Sequence, residues 1–132
     1  MSRGFVFDTS ALLAPLLREP GGDVVLQAVG SGLPVLLSAV NLAEAIGLLQ
    51  RRRGLPPSEA RADILSLGLE VVAFDAEQAQ EVGSLEPLLR NSGVAFGDHA
   101  CLILGRVRSL PVLTADRTWV ALDLGVEVRL IR

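Results

Sequence analysis

Five short runs of apolar residues recur along the chain, and the segments between them are long enough for one or two helices. Short, uniformly apolar runs are typical of strands that a sheet buries on both faces. Parallel strands of this kind need long crossover connections, which helices supply. The alternation therefore predicts a three-layer α/β/α fold with a central, mainly parallel five-stranded sheet. At 132 residues we expect one domain, residues 1–132.

Turn and capping residues set the expected bounds of the elements. We expect the strands at 5–7, 35–37, 70–73, 112–114 and 126–130. We expect helices soon after Asp8, at about 23–30, 39–53, 58–68, 75–90 and 98–107, and a short one around Trp119. Asp75, with Gln78 three residues later, is interpreted as a helix cap.

Composition excludes several kinds of enzyme. All twelve basic residues are arginine, so the chain has no amine for a P-loop, a Schiff base, a receiver domain or a dehalogenase-like phosphatase. The last of these also needs a second Asp two residues after the first, where Ser10 stands. No glycine fingerprint follows the first strand, so dinucleotide binding is not expected.

Hydropathy and cysteine content indicate the environment of the protein. The mean hydropathy is +0.46, but no run of about eighteen apolar residues is present, so we expect no membrane span. The single cysteine, Cys101, cannot form an internal disulfide, and we predict a buried thiol in a cytoplasmic protein. The apolar surplus reflects either a core rich in Ala, Leu and Val or a partner surface, which we would place at Leu48, Leu49, Leu55, Ile64 and Leu65.

Four acidic residues occupy informative positions. Asp8 follows the first strand, Asp116 follows the fourth, Glu44 lies in the helix after the second strand, and Asp98 opens the helix before the fourth. In a parallel α/β sheet these places share the edge at the carboxyl ends of the strands, where ligands bind. Asp75 follows an outer strand and is expected roughly 10 Å from the first strand, too far to share a metal.

Clustered carboxylates repel one another unless cations compensate. An all-oxygen donor set suits Mg²⁺ or Mn²⁺ rather than zinc. The chemistry predicted is metal-assisted hydrolysis of phosphodiester bonds, with the carboxyl groups within about 4 to 8 Å of each other. Each acid also has a structural alternative: Asp98 and Asp116 as helix caps, Asp8 as a turn residue and Glu44 as a solvated helix residue.

Four segments resemble those of a known family. FVFDTSALLA, SAVNLAEAIGLL, FGDHACLILGR and PVLTADRTW are similar in order and spacing to PIN domains, and specifically to VapC-type toxin ribonucleases of type II toxin–antitoxin systems. The resemblance implies a central parallel sheet, RNA cleavage with Mg²⁺ or Mn²⁺, and an antitoxin that blocks the site. It also assigns the family's acidic positions to Asp8, Glu44, Asp98 and Asp116.

The resemblance further implies that Thr9, Ser10 and Thr114 are small hydroxyl neighbours of the site. Thr9 or Ser10 is alternatively the cap of the first helix. Asn41, three residues before Glu44, is placed to hold that carboxylate. Some members carry another acid after the fourth, where this chain has Arg117, Thr118 and Trp119, so a permanently occupied second metal site is not expected.

Other charged and aromatic residues lie near the motifs. Arg117 is our candidate for an RNA-phosphate contact. His99 should point about 100° away from Asp98 and is not expected to act directly. Arg51, Arg52 and Arg53 either complement the helix dipole or form an RNA-backbone patch. Trp119 is predicted to pack in the core.

The main hypothesis is a VapC-type endoribonuclease toxin, homodimeric and inhibited by a VapB-type antitoxin. The first alternative is a housekeeping PIN nuclease that processes RNA. The second is a catalytically silent PIN-like module that binds RNA or protein.

Overall fold

Five parallel strands form one sheet in the computed structural model, which describes residues 3–132. The strands are β1 (Phe5–Phe7), β2 (Val35–Ser38), β3 (Glu70–Val72), β4 (Val112–Thr114) and β5 (Val128–Leu130). Their order across the sheet is β3-β2-β1-β4-β5, with every neighbouring pair parallel. Phe7 in the central strand aligns with Leu37 on one side and Leu113 on the other. The predicted five-stranded parallel sheet is confirmed.

Seven α-helices and one 3₁₀ helix connect the strands within the described part of the chain. They are α1 (Thr9–Leu16), α2 (Gly22–Gly30), α3 (Ala39–Arg53), α4 (Pro57–Leu65), α5 (Ala76–Ser84), α6 (Glu86–Leu89), α7 (Phe96–Arg108) and the 3₁₀ helix Arg117–Ala121. Helix α3 begins where Ser38 accepts a hydrogen bond from the Val40 amide and ends at Gly54, whose φ of 65° suits glycine.

Alternate residues of each inner strand pack on opposite faces of the sheet, as the two-residue period of a strand requires. Phe7, Leu37 and Leu113 belong to a core that also contains buried residues of α1 to α4. Val6, Leu36 and Val112 belong to a second core with Cys101, Leu104 and Trp119. Helices therefore cover both faces, and the predicted three layers are confirmed.

Three of the helices differ by two residues or more from the sequence prediction, and so does one strand. The helix expected at 58–68 spans Pro57–Leu65, and the strand expected from Val126 begins at Val128. The helix expected at 75–90 breaks at Leu85, because Pro87 lacks the amide that would continue the hydrogen-bond ladder. The helix expected from Asp98 begins at Phe96 instead. Its cap, Ala95, has no capping side chain and gave no signal in the sequence. Asp75 does cap α5, accepting from the Gln78 amide at 2.9 Å.

Two of the five residues of the predicted apolar partner surface lie in the core. Leu49 and Ile64 are 2% and 0% exposed, while Leu48, Leu55 and Leu65 are half-buried, so a partner at these three stays a prediction. Leu49 and Ile64 were misassigned because α3 and α4 pack apolar side chains against each other as well as against the sheet. Cys101 is buried as predicted. No helix within residues 3–132 is long and apolar enough to span a membrane.

Candidate active site

Asp8, Glu44, Asp98 and Asp116 line one open cavity of about 430 Å³. Asp8 directly follows β1, and Asp116 lies two residues after the end of β4. Glu44 lies in the second turn of α3, which starts directly after β2, and Asp98 lies in the first turn of α7. The parallel topology thus places all four predicted acids at one edge of the sheet. A larger cavity, of about 720 Å³ beside α5, is lined by none of them.

Asp8 is the most buried of the four acids, with 3% of its surface exposed. Its carboxylate caps α1 by accepting from the Ala11 amide at 2.7 Å, so neither Thr9 nor Ser10 is the cap. It also accepts from the Ser10 hydroxyl at 2.7 and 2.9 Å and from the Thr114 hydroxyl at 2.5 Å. Burial raises the pKa of Asp8, those hydrogen bonds lower it, and the carboxylate of Asp116 raises it further.

The same two hydroxyl groups join the ends of β1 and β4. The Ser10 hydroxyl accepts from the Ala115 amide at 2.9 Å, and the Thr114 hydroxyl accepts from the Asp116 amide at 3.0 Å. Each hydroxyl therefore donates to Asp8 while accepting from the segment that carries Asp116. These bonds fix the spacing of the two segments, and they give Ser10 and Thr114 the supporting positions predicted for them.

Glu44 is held by polar groups from two helices. The Asn41 side-chain amide, which is fully buried, donates to Glu44 Oε1 at 3.0 Å, to the Thr9 hydroxyl at 3.1 Å and to the Gly97 carbonyl at 3.2 Å. The Thr9 hydroxyl donates to the same Glu44 oxygen at 3.0 Å. Asn41 thus connects α1, α3 and α7 and holds Glu44, as the spacing on α3 predicted.

Gly97 was not identified from the sequence. A Cβ at this position would lie 2.5 to 2.7 Å from the carboxyl atoms of Glu44, closer than real Cβ contacts. Only glycine therefore leaves room for the Glu44 carboxylate beside the start of α7. A glycine in the first turn of a helix, next to a candidate site residue, was the available signal, because glycine is a poor helix former.

Asp98 is half-buried among the other three carboxylates, and its pKa shows their influence. Its pKa is raised to about 6, first by burial and then by the carboxylates of Asp8, Glu44 and Asp116, while the Ala95 backbone opposes the shift. Asp98 does not cap α7, because the chain becomes helical at Phe96. Negative charge concentrated around one half-buried carboxylate is an arrangement that a bound cation stabilises.

Asp116 is exposed and caps the 3₁₀ helix. One of its oxygens, Oδ1, accepts from the Thr118 amide at 3.0 Å and from the Thr118 hydroxyl at 2.6 Å. The capping interpretation of this residue therefore holds alongside its place in the cavity. Both bonds use the same oxygen.

The donor set fits a hard cation, since all four side chains offer carboxylate oxygens. As they stand, however, no three Asp, Glu, His or Cys side chains among residues 3–132 are close enough to share one ion. Asp8, Glu44 and Asp116 each accept from their own hydroxyl or amide donors. Binding of one ion by several of them therefore requires side-chain rotation within the cavity, and the full convergence expected from the sequence is not observed.

Of the remaining sequence candidates, Arg117 and His99 do not line the cavity, and Trp119 and Cys101 are buried. Arg117 is exposed, begins the 3₁₀ helix and is not among the residues that line the cavity, so its phosphate contact stays a prediction. His99 is turned to the Val94 carbonyl at 3.0 Å and is also outside the cavity. Trp119 is 1% exposed and packs in the core, as predicted. Burial raises the pKa of Cys101 well above its usual value, which suits an inert thiol.

Three further charged residues line the cavity and were not predicted to do so together. Arg52 comes from the last turn of α3, Arg132 follows β5, and Glu19 follows α1. The nearest pair among them, Arg52 and Glu19, lies 3.6 Å apart. Glu19 and Arg132 could not be predicted as cavity residues, because only the packing of distant segments places them beside the acids.

Comparison with known proteins was made for sequence families and for solved structures. The model of the PIN domain family matches residues 5–124. None of the curated protein sequences compared with the chain matches it significantly.

Solved structures agree in fold over nearly the whole chain. VapBC2 from Rickettsia felis, bound to a promoter DNA fragment, has a TM-score of 0.76 at 15% identity, covering 96% of this chain and 97% of that chain. DNA-bound VapBC from Salmonella typhimurium has a TM-score of 0.74 at 20% identity, covering 98% of this chain and 98% of that chain. VapC20 from Mycobacterium tuberculosis, described as a sarcin-ricin loop cleaving toxin, has a TM-score of 0.67 at 22% identity. The match covers 92% of this chain and 98% of that chain. Identities this low support similarity of fold alone.

Proposed function

The chain belongs to the PIN domain family, and from this membership we propose that it is a metal-dependent endoribonuclease, the toxin of a VapBC-type toxin–antitoxin pair. The observation that carries the proposal is the single cavity lined by Asp8, Glu44, Asp98 and Asp116. The similarity in fold to VapBC and VapC structures supports the toxin assignment.

The four carboxylates would hold Mg²⁺ or Mn²⁺. When bound, such an ion lowers the pKa of a water molecule and stabilises the oxygen that leaves the phosphate. Ser10 and Thr114 orient Asp8 by donating to both of its oxygens, and these hydrogen bonds favour its ionised form against the effect of burial on its pKa. Asn41 and Thr9 orient Glu44 by donating to its Oε1.

Cleavage of RNA by purified protein tests the enzymatic proposal. We expect structured RNA to be cut in Mg²⁺ or Mn²⁺ and to stay intact in EDTA. Asp8→Asn should abolish cutting, because it removes one buried negative charge without a large change of shape. Equal cutting in all three samples would contradict the proposal.

The proposed partners are an RNA substrate, a VapB-type antitoxin and a second copy of the chain. Expression of the protein alone should arrest growth, and co-expression of a neighbouring antitoxin gene should restore it. Growth without arrest would favour the alternative of a housekeeping PIN nuclease that processes RNA.

Light scattering on purified protein tests the homodimer, and a monomer mass would contradict it. The lone buried Cys101 is consistent with a cytoplasmic location.

A catalytically silent PIN-like module is the second alternative. The electrostatics of Asp98 argue against it, because a silent domain gains nothing from a carboxylate whose pKa burial and the neighbouring carboxylates raise to about 6. Calorimetry with Mn²⁺ distinguishes the two, since a silent module should bind no metal.

A further inference from the structure

We propose that Arg52 and Arg132 form a subsite that binds RNA backbone phosphates beyond the bond that is cut. This inference rests on the proposed ribonuclease function and assigns the contacts that hold the strand. Within the described chain they are the only cationic side chains that line the cavity of the four carboxylates.

Helix α3 connects the subsite to the carboxylates. Glu44, Leu48 and Arg52 are spaced four residues apart, so they lie on one face of the helix, and all three line the cavity. Eight residues correspond to about 12 Å along the helix axis. Arg52 is therefore placed for a phosphate farther along the strand.

Arg132 reaches the cavity from the segment that follows β5. The Ile131 amide donates to the Thr114 carbonyl at 3.0 Å, which anchors this segment beside β4. One guanidinium nitrogen, Nη1, donates to the Pro20 carbonyl at 2.6 Å. An arginine side chain has five N–H donors, so most of the Arg132 fork stays available for a phosphate.

Charge balance explains why the cavity needs these arginines. Phosphate affinity in nucleic-acid complexes comes mainly from basic side chains, whereas this cavity is lined by Glu19 and the four carboxylates. Bound cations would offset the four carboxylates but would not position the rest of the strand. Guanidinium groups bind phosphate oxygens in pairs, which supplies that positioning.

The present partner of Arg52 is easy to replace. Its guanidinium lies 3.6 Å from Glu19, and the two side chains are 54% and 34% exposed. Ion pairs this exposed contribute little to stability. A phosphate can therefore displace Glu19, which competes with the substrate for Arg52.

Arg53 provides a matched control on the same helix turn. It has the same side chain and is exposed, but it lines a different cavity with Leu55 and Asp63. The Arg51–Arg53 run is therefore not one uniform patch, and only Arg52 faces the carboxylates.

Steady-state cleavage of a single-stranded RNA oligonucleotide at several salt concentrations tests the subsite. We expect Arg52→Gln and Arg132→Gln each to raise KM about tenfold with kcat within about twofold, because each removes a charge-assisted contact. The slope of log(1/KM) against log salt should fall by about 0.7 per arginine. Arg53→Gln should match the wild type, and Glu19→Gln should lower KM.

Two results overturn the inference. One is Arg52→Gln and Arg132→Gln behaving like Arg53→Gln, and the other is a loss of kcat at unchanged KM. Fluorescence anisotropy with a labelled oligonucleotide measures binding without cleavage. A protein that binds RNA through Arg52 and never cuts it contradicts the proposed activity and leaves the subsite standing. Thermal denaturation should show the same midpoint for all variants.

Discussion

The carboxylate of Glu44 lies against the α-carbon of Gly97, with room for a hydrogen and not for a methyl group. The contact joins the helix after β2 to the helix before β4 at the cavity wall. Because Glu44 is an exposed, flexible side chain, a Cβ on residue 97 would displace its carboxylate rather than the backbone.

Gly97→Ala should therefore impair activity without destabilising the fold. We expect free energies of unfolding within about 0.5 kcal/mol of the wild type, since alanine's helix propensity offsets the local crowding. RNA cleavage should fall about 100-fold, because small misplacements of site groups cost this much. In a Glu44→Ala background, Gly97→Ala should have no further effect on cleavage. Gly83→Ala, which nothing crowds, is the control; equal activities of Gly97→Ala and Gly83→Ala would contradict the prediction.

Asn41→Ala should lower both stability and turnover. The substitution removes three hydrogen bonds from a fully buried amide, but it also removes the Asn41 carbonyl oxygen, which has no partner. We expect a net loss of about 1 to 2 kcal/mol in urea denaturation. With Glu44 no longer held, kcat should fall more than KM changes. The exposed Asn91→Ala is the control, and a kcat equal to that of the control would show that Asn41 only supports the fold.

The raised pKa of Asp98 predicts how stability in EDTA depends on pH. The folded protein holds the Asp98 proton more tightly than the unfolded chain, so stability should fall as pH rises from about 4 to about 6 and level off above. Solvent screening limits the contribution of this half-buried group to about 1 kcal/mol.

Asp98→Asn isolates that contribution from the other acids. Near pH 7 in EDTA the variant should be more stable than the wild type, and the difference should vanish near pH 4. It should bind Mn²⁺ less tightly in calorimetry. A variant less stable than the wild type at neutral pH would contradict the repulsion inferred around Asp98.

Thr114→Val should weaken metal binding through Asp8. The change keeps the shape of the side chain and removes a hydroxyl that donates to Asp8 and accepts from the Asp116 amide. We expect a loss of about 1 to 3 kcal/mol in stability, a higher Asp8 pKa, and weaker Mn²⁺ binding at neutral pH. Thr114→Ser should restore the affinity. If serine and valine variants bind Mn²⁺ equally, the hydroxyl has no role in orienting Asp8.

Local signals in the sequence accounted for most of the fold. β1 and β4 have the predicted bounds because their apolar runs are short and end at polar residues. Helix α3 also has its predicted bounds, because Ser38 and Gly54 mark its ends. The start of α7 was misplaced because packing against its neighbours, rather than a capping side chain at Ala95, determines it.

The candidate site was predictable to the extent that it follows from strand order. Parallel strands bring their carboxyl ends to one edge, so Asp8 and Asp116 were placed by topology alone. Gly97, Glu19 and Arg132 were not, because their positions depend on contacts between segments far apart in the chain. Gly97 matters because it has no side chain, and neither composition nor hydrophobic periodicity indicates where a side chain must be absent.

The hydrogen bond from Thr114 to Asp8 spans 106 residues of sequence. At about 5 to 20 residues per second, a ribosome needs roughly 5 to 20 seconds to synthesise that interval. Until then the emerging chain has Asp8 and Ser10 but neither the Thr114 hydroxyl nor Asp116. The proposed nuclease is thus inert while it is being translated, and the machinery that makes it is not exposed to an active site before the last strands are complete.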